Sequence, residues 1–471
     1  MIFNTKNTLQ KEGRYIFKGE ARVFANACFN EEIFSEFWRN FCFGFSSLVT
    51  TSVEKFAFYT DGARLLPTEG RSYAICVDES GFSVNADDKS GLLLGFMTLI
   101  DRIQAIDIDG ESYLAIESFE LRETPLVVHR MVHFCVFPET ELWELRRFLL
   151  FAAALKYSHV VLEFWGTLRY DVMQELSWST AFEKDDIRPI IKEARSLGLE
   201  IVPMFNHWGH AAASRARHGK HVVLDQNPAL QTYFSEDGWC WDFSKEKVRT
   251  LLSDIRRELI ELCGDGKFFH IGCDEAYNFD ISNKDSVNLV TDFINSVSED
   301  IKSFGRRTIV WGDMFISKRD DYNPQNKYEC NAPNEECAEY LRGRISRDII
   351  IADWQYNVEY APVETALTFK NAGFDCMLCP WDRKPQNLNS CLTTLKENGL
   401  YGLIHTTWHT LSSGTHYVTA AAVGCFGENV ARPYSYFVTK TAALMRRVYP
   451  VNGDYRKSGW AKKQIDDFVY T

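Results

Sequence analysis

Apolar and polar positions along this chain change their rhythm near residue 125. Before it, short alternating stretches dominate. Lys55 to Tyr59 reads as a strand, and Ser72 to Val77 and Phe82 to Ala86 alternate around the turn Glu79-Ser80-Gly81, the pattern of a hairpin. Phe29 to Phe45 and Lys89 to Ile103 carry apolar residues at helical spacing. These elements predict a small α+β support domain over residues 1–124, without a cluster of catalytic residue types.

From Pro125 onward, short apolar runs alternate with helical stretches. The runs are Val127 to Phe134, Val160 to Phe164, Leu199 to Phe205, Phe268 to Gly272, Arg307 to Trp311, Asp348 to Trp354, Phe374 to Cys379 and Leu400 to Trp408. Helical patterns over Glu139 to Lys156, Asp185 to Leu197, Lys245 to Leu262 and Ser286 to Phe304 fall between them, with a last one near Val418 to Met445. A long excursion follows the third run. Eight strand–helix units over residues 125–471 predict a closed (β/α)8 TIM barrel with a helical C-terminal end. A doubly wound open sheet is the competitor, and the absence of a Gly-rich phosphate loop after the first strand counts against it.

A barrel of this kind places its active site at the C-terminal ends of its strands. Those ends read Glu163-Phe164-Trp165, Asn206-His207-Trp208-Gly209-His210, Asp274-Glu275, Trp311-Gly312-Asp313, Asp353-Trp354-Gln355-Tyr356, Trp381-Asp382 and Trp408-His409, with Arg130 and His133 on the first strand. Six of the eight ends carry Trp at or near the last position. The fourth end departs most from a core pattern, since K-F-F-H-I-G-C-D-E-A-Y-N-F sets two adjacent carboxylates against an apolar run. Neighbouring side chains on a strand point to opposite faces, so both acids reach one site only if the chain leaves the strand there, which Gly272 permits. The alternative for Asp274 and Glu275 is an N-cap at the start of the following helix. Trp faces stack on sugar rings, while acids and Arg fix hydroxyls, so the set of strand ends points to glycoside chemistry.

Composition narrows the partners. Of 471 residues, 45% are hydrophobic and 25% charged, as in ordinary globular proteins. A net charge of −12 argues against nucleic acid or an anionic membrane surface as partner. Aromatic content is high, with 12 Trp, 20 Tyr and 34 Phe. The first residues lack an apolar signal-peptide core, no stretch has the length of a membrane span, and 13 irregularly spaced Cys read as reduced thiols, so a cytoplasmic location is expected. Cys376-Met-Leu-Cys379 is the sole C-x-x-C and has no partner pair, so no metal is expected there.

The run H-I-G-C-D-E-A-Y resembles the H-I-G-G-D-E signature of family 20 glycoside hydrolases, the β-N-acetylhexosaminidases. It is closer still to the H-I-G-C-D-E-V-Y form of the intracellular hexosaminidase D branch. V-V-L-E-F, I-V-P-M-F-N-H-W-G-H, T-I-V-W-G-D-M, A-D-W-Q-Y and T-T-W-H resemble further segments of that branch, in order. Ser72 to Ile103 resembles the domain that precedes the barrel in this family.

The resemblance implies an exo-acting, retaining β-N-acetylhexosaminidase that releases terminal GalNAc or GlcNAc through the sugar's own 2-acetamido group, without a cofactor. Glu275 would be general acid and base, and Asp274 would orient the acetamido N–H and stabilise an oxazolinium. Arg130 would hold the outer hydroxyls, Tyr356 would bond the acetamido oxygen, and Trp311, Trp354 and Trp408 would wall its methyl, with Trp381 nearby. His210 matches the family's P-G-H histidine, with Trp208 in place of the proline. The chain departs from the secreted members at Cys135, at Met204 and Asn206, and at Glu163-Phe164-Trp165-Gly166, where the acid expected to orient His210 is missing and Glu163 is the candidate substitute. Two other readings stand beside this one: a non-catalytic carbohydrate-binding protein, and a metal-dependent barrel hydrolase using His207, His210, His270 and Asp274. An intact acid pair counts against the first, and the spacing of the second is no known zinc signature.

Overall fold

A computed structural model of the chain describes residues 3, 7–25, 53–59, 66–68, 70, 72–211, 223–277, 279–381, 384–408 and 414–448. Strands β1 (Thr8–Ile16), β2 (Gly19–Ala25), β3 (Val53–Tyr59), β4 (Tyr73–Asp78), β5 (Gly81–Ala86), β6 (Gln104–Ile108) and β7 (Glu111–Glu123) form one sheet, in the order β1-β7-β4-β5-β2-β3 with β6 also on β7. β4 and β5 make the expected antiparallel hairpin. Lys55 to Tyr59 falls within β3, which runs parallel to β2. The helix Lys89–Arg102 starts where the Asp88 carboxylate accepts from the Gly91 N–H at 2.8 Å, and it buries Leu92, Leu93, Phe96, Met97, Leu99 and Ile100. Four strands lacked a clear signal in the chain, namely β1, β2, β6 and β7. β1 is mostly exposed and β6 half-exposed, so charged residues interrupt their alternation. The helical reading of Phe29 to Phe45 lies outside the described residues.

The remaining strands are β8 (His129–Cys135), β9 (His159–Glu163), β10 (Glu200–Met204), β11 (Phe268–His270), β12 (Arg307–Trp311), β13 (Ile350–Asp353), β14 (Cys376–Leu378) and β15 (Gly402–His405). They close on themselves through parallel pairs, from β15 back onto β8. This is the (β/α)8 barrel that the alternation predicts. Its strands are buried on both faces, which explains their near-continuous apolar runs. Met131, Val161, Val202, Met204, Phe268, Ile309 and Ile350 fill the interior, with Trp311 and Trp354 at its upper end. Helices cover the outside; Glu246–Cys263 turns Val248, Leu251, Leu252, Ile255, Leu259 and Leu262 inward, the stripe of an amphipathic helix. The last helical stretch is two helices, Thr415–Gly424 and Tyr434–Val448, because Gly427 at φ +82° and Pro433 interrupt it.

Sheet and barrel meet at Lys156. Its buried ammonium donates to Tyr73 Oη (3.3 Å), Thr98 Oγ1 (3.2 Å) and Glu123 Oε2 (3.2 Å), and lies 3.8 Å from the Phe3 and Phe426 ring centres.

Candidate active site

β11 ends at His270, and the chain then turns sharply. Gly272, Cys273 and Glu275 take φ of +66°, +74° and +48°. Left-handed backbone costs a non-glycine residue about 1 kcal/mol or more, and its repetition here marks a segment whose shape the surroundings impose. The turn lets adjacent carboxylates face one place. His210, itself at φ +57°, brings Nε2 to 2.9 Å from Glu275 Oε2 and 3.4 Å from Asp274 Oδ2. Asp274 is 8% exposed, while the Glu275 side chain is more open at 27%. The N-cap alternative does not hold, since the next helix begins only at Lys284 with Asn283 as its cap.

Two residues to which the chain alone gave no role hold this turn. Asp313, just past β12, is buried and accepts from the Glu275 N–H (2.9 Å), Asn331 Nδ2 (2.7 Å) and Trp354 Nε1 (3.0 Å). Burial, then the charge of Asp274, pushes its carboxyl up to about 7. Trp239, from the excursion after β10, donates Nε1 to the Glu275 carbonyl at 2.6 Å and packs its ring 4.4 Å from that of His210. Asp313 stood in the strand-end triplet W-G-D and was legible there. Trp239 lies in a stretch with no periodicity, and nothing in the pattern marked it.

Aromatic side chains from β12 to β15 form one wall. Centroid distances are 5.7 Å for Trp311–Trp408, 5.2 Å for Trp354–Tyr356 and 5.4 Å for Tyr356–Trp381. Trp311, beneath Trp408, and Trp354 are buried, and Tyr356, Trp381 and Trp408 are half-buried. Trp408 Nε1 donates to Tyr356 Oη at 2.6 Å, and Thr406 Oγ1 lies 3.1 Å from the same oxygen. Burial holds the Tyr356 hydroxyl protonated, its pKa well above the usual value, with a further upward push from Asp274. The phenol thus remains a donor, within electrostatic reach of the acid pair.

Arg130 does not join this group. It is the second residue of β8, at the opposite end of the barrel, and its guanidinium donates to the carbonyls of Lys156, Val127 and Val128, each at 2.9 Å. Glu163 is at the right end, but its carboxylate is turned to His133 (3.2 Å), Cys135 (2.9 Å) and Asn206 (3.2 Å). The Trp239 ring packs against that of His210.

The four residues of the metal reading do not share one point. His207 is buried, with Nδ1 donating to the Phe205 carbonyl (2.6 Å) and Nε2 accepting from Arg256 (3.0 Å). His270 Nδ1 accepts from the Gly272 N–H at 3.0 Å, and burial, with the nearby charge of His133, lowers it to about 3. Asp382 and His409 lie outside the described residues.

The site therefore joins a half-buried carboxyl, a buried neighbouring carboxylate, a histidine touching both and an aromatic wall with a phenol donor. Such a set can deliver a proton, stabilise a developing positive charge and enclose a small apolar group.

Residues 157–382 match the family model described as glycosyl hydrolase family 20, catalytic domain. The fold is similar to that of an exo β-N-acetylglucosaminidase from Vibrio harveyi, with a TM-score of 0.68 at 14% identity over 95% of this chain and 78% of that one. It is also similar to a β-N-acetylhexosaminidase from Streptomyces coelicolor A3(2), with a TM-score of 0.65 at 15% identity over 95% and 96%. Among curated proteins, a lacto-N-biosidase from Bifidobacterium bifidum is 21% identical over 193 residues, which is 37% of this chain and only 16% of that protein.

Proposed function

We propose that this chain, whose residues 157–382 match a family 20 glycoside hydrolase catalytic domain, is an exo-acting, retaining β-N-acetylhexosaminidase. It releases terminal β-linked GlcNAc or GalNAc by substrate-assisted catalysis. One observation carries the reading: Asp274 and Glu275 are adjacent, yet a left-handed turn brings both onto His210. Ordinary glycosidases set their two carboxyls about 5 to 9.5 Å apart, flanking the bond, which sequence neighbours on one turn are ill placed to do. A nucleophile supplied by the sugar removes that requirement.

In this mechanism the 2-acetamido oxygen attacks C1 while Glu275, the more exposed acid, protonates the leaving oxygen. Asp274 accepts from the acetamido N–H and stabilises the positive charge that spreads over the oxazolinium ring. Tyr356 donates to the acetamido oxygen and aligns it for attack. Trp354 and Trp408, backed by Trp311, enclose the methyl, and Trp381 extends the wall. Glu275, now a carboxylate, takes a proton from water, which attacks C1 from the face the aglycone left. His210 holds Glu275 in place through its 2.9 Å contact. Glu163, its carboxylate taken up by His133, Cys135 and Asn206, is given no sugar contact in this mechanism.

The form H-I-G-C-D-E-A-Y supports the hexosaminidase D branch, and residues 1–124 serve as the support domain of the catalytic unit 125–471. The cysteine usage supports a cytoplasmic setting. Among the described residues no helix is long and apolar enough to cross a membrane. Proton NMR of the fresh product tests the stereochemistry. The β anomer is expected first, and initial release of the α anomer would exclude this mechanism.

A further inference from the structure

Below the aromatic wall lies a second group that the mechanism does not use. His133 and Cys135 stand two residues apart on β8, both buried within the barrel mouth, and Glu163 ends the neighbouring β9. Cys135 and Glu163 are direct partners in the strand register. His133 Nε2 lies 3.2 Å from Glu163 Oε2; Cys135 Sγ lies 2.9 Å from that oxygen and 3.7 Å from the nitrogen. Exposure is 0% for His133, 1% for Cys135 and 2% for Glu163.

An imidazole nitrogen, a thiolate sulfur and a carboxylate oxygen are the donor types that zinc takes. Tetrahedral bonds of about 2.0 to 2.3 Å set such donors roughly 3.3 to 3.6 Å apart. The nitrogen–oxygen separation of 3.2 Å and the sulfur–nitrogen separation of 3.7 Å lie close to that range, and the sulfur–oxygen contact of 2.9 Å, a hydrogen bond from the thiol, would open by roughly 0.6 Å as the thiol proton leaves. The surroundings suit a ligand set as well. Asn206 Nδ2 donates to Glu163 Oε1 at 3.2 Å, which orients the carboxylate and leaves Oε2 toward the other two. Three of the four residues, Cys135, Glu163 and Asn206, stand where this chain departs from the secreted members of the family it resembles.

We propose that His133 Nε2, Cys135 Sγ and Glu163 Oε2 hold a thiophilic divalent cation of the zinc class, with its fourth position open. Binding breaks the Cys135 S–H bond and forms a metal–sulfur bond, the proton passing to solvent, with no change of oxidation state. The His133 ring packs 4.4 Å from that of Trp408, so the cation would sit under the wall of the proposed sugar pocket. A ligand role for these three residues does not depend on the hydrolase reading.

The test uses the full-length reduced protein, equilibrated with Zn2+ and freed of excess, with metal content measured by mass spectrometry. Wild type is expected to retain about one equivalent more than Cys135→Ser, and His133→Asn to lose the same equivalent. Replacement with Co2+ should give a thiolate-to-cobalt charge-transfer band in wild type that Cys135→Ser lacks, while circular dichroism shows both folded. Should Cys135→Ser misfold, Glu163→Gln provides the same comparison. Equal retention and equal bands in wild type and variants would overturn the proposal, and would mean that the cluster is a hydrogen-bonded one. Metal content is read without any glycoside, so a failed hydrolase assay and a failed metal assay remain distinct results.

Discussion

Asp313 shows how one carboxyl can carry the geometry of a site without touching substrate. It receives three donors, one of them the backbone of Glu275, so its removal should disturb the acid more than the pocket. Its folded pKa is raised from 3.8 to about 7 by burial and by Asp274. In the unfolded chain the group ionises near its ordinary value, so across that interval the folded state binds the proton and the unfolded state does not. The group therefore favours folding at low pH, and that contribution is lost as pH rises through about 7. In Asp313→Asn the fall of Tm with rising pH over this interval should be shallower than in wild type; an unchanged slope would contradict the assignment. Under the proposed mechanism Tyr356→Phe removes the donor to the acetamido oxygen and should lower kcat/KM about 10- to 100-fold, since a hydrogen bond to a charged centre is worth roughly 1.5–3 kcal/mol. Steady-state kinetics on an aryl N-acetylhexosaminide reads this directly. Glu275→Gln should cost about 100- to 10,000-fold in kcat with little change in Tm, as loss of a proton donor does.

At the scale of the element, the turn after β11 decides whether two neighbouring acids serve one site. Gly272 has φ +66°, and a Cβ there would fall 1.8 Å from Asn206 Oδ1. Gly209 packs so close that its Cβ would fall 1.9 Å from the Asp274 carbonyl oxygen. Gly209→Ala should therefore displace the acid pair from His210, lowering kcat by at least tenfold while the barrel still folds, which kinetics and circular dichroism together would check. How much of this was legible in the chain follows from burial. The barrel strands were readable because both their faces are buried, and the acid pair because carboxylates beside an apolar run need a reason. β1 and β6 were not, because charged residues on exposed faces blur a period of two. Arg130 was misplaced for another reason. Residue type says nothing about which end of a strand a side chain serves, and only the register puts this one at the foot of the barrel. Trp239 escaped notice because a loop has no period to read.

Across the whole molecule, the sheet and barrel share a buried ion pair rather than a merely apolar contact. Lys156 and Glu123 lie 3.2 Å apart at side-chain exposures of 0% and 9%, with Tyr73 and Thr98 completing the set. Glu123→Gln leaves a buried ammonium without its counter-ion and should destabilise the fold by about 3–5 kcal/mol in urea denaturation, whereas Glu123→Gln with Lys156→Met should recover part of that loss. A smaller loss from the single variant than from the pair of changes would mean that the two groups do not act together. The central claim, however, concerns the reaction, in which the substrate supplies the nucleophile. It is tested most directly by comparing hydrolysis of aryl β-glycosides bearing 2-acetamido and 2-hydroxy groups, in both gluco and galacto configurations, by the same enzyme preparation. Turnover confined to the 2-acetamido sugars is the predicted result, and the faster epimer then gives the preference. Comparable turnover of the 2-hydroxy sugars would mean that the protein provides its own nucleophile, and would contradict the account.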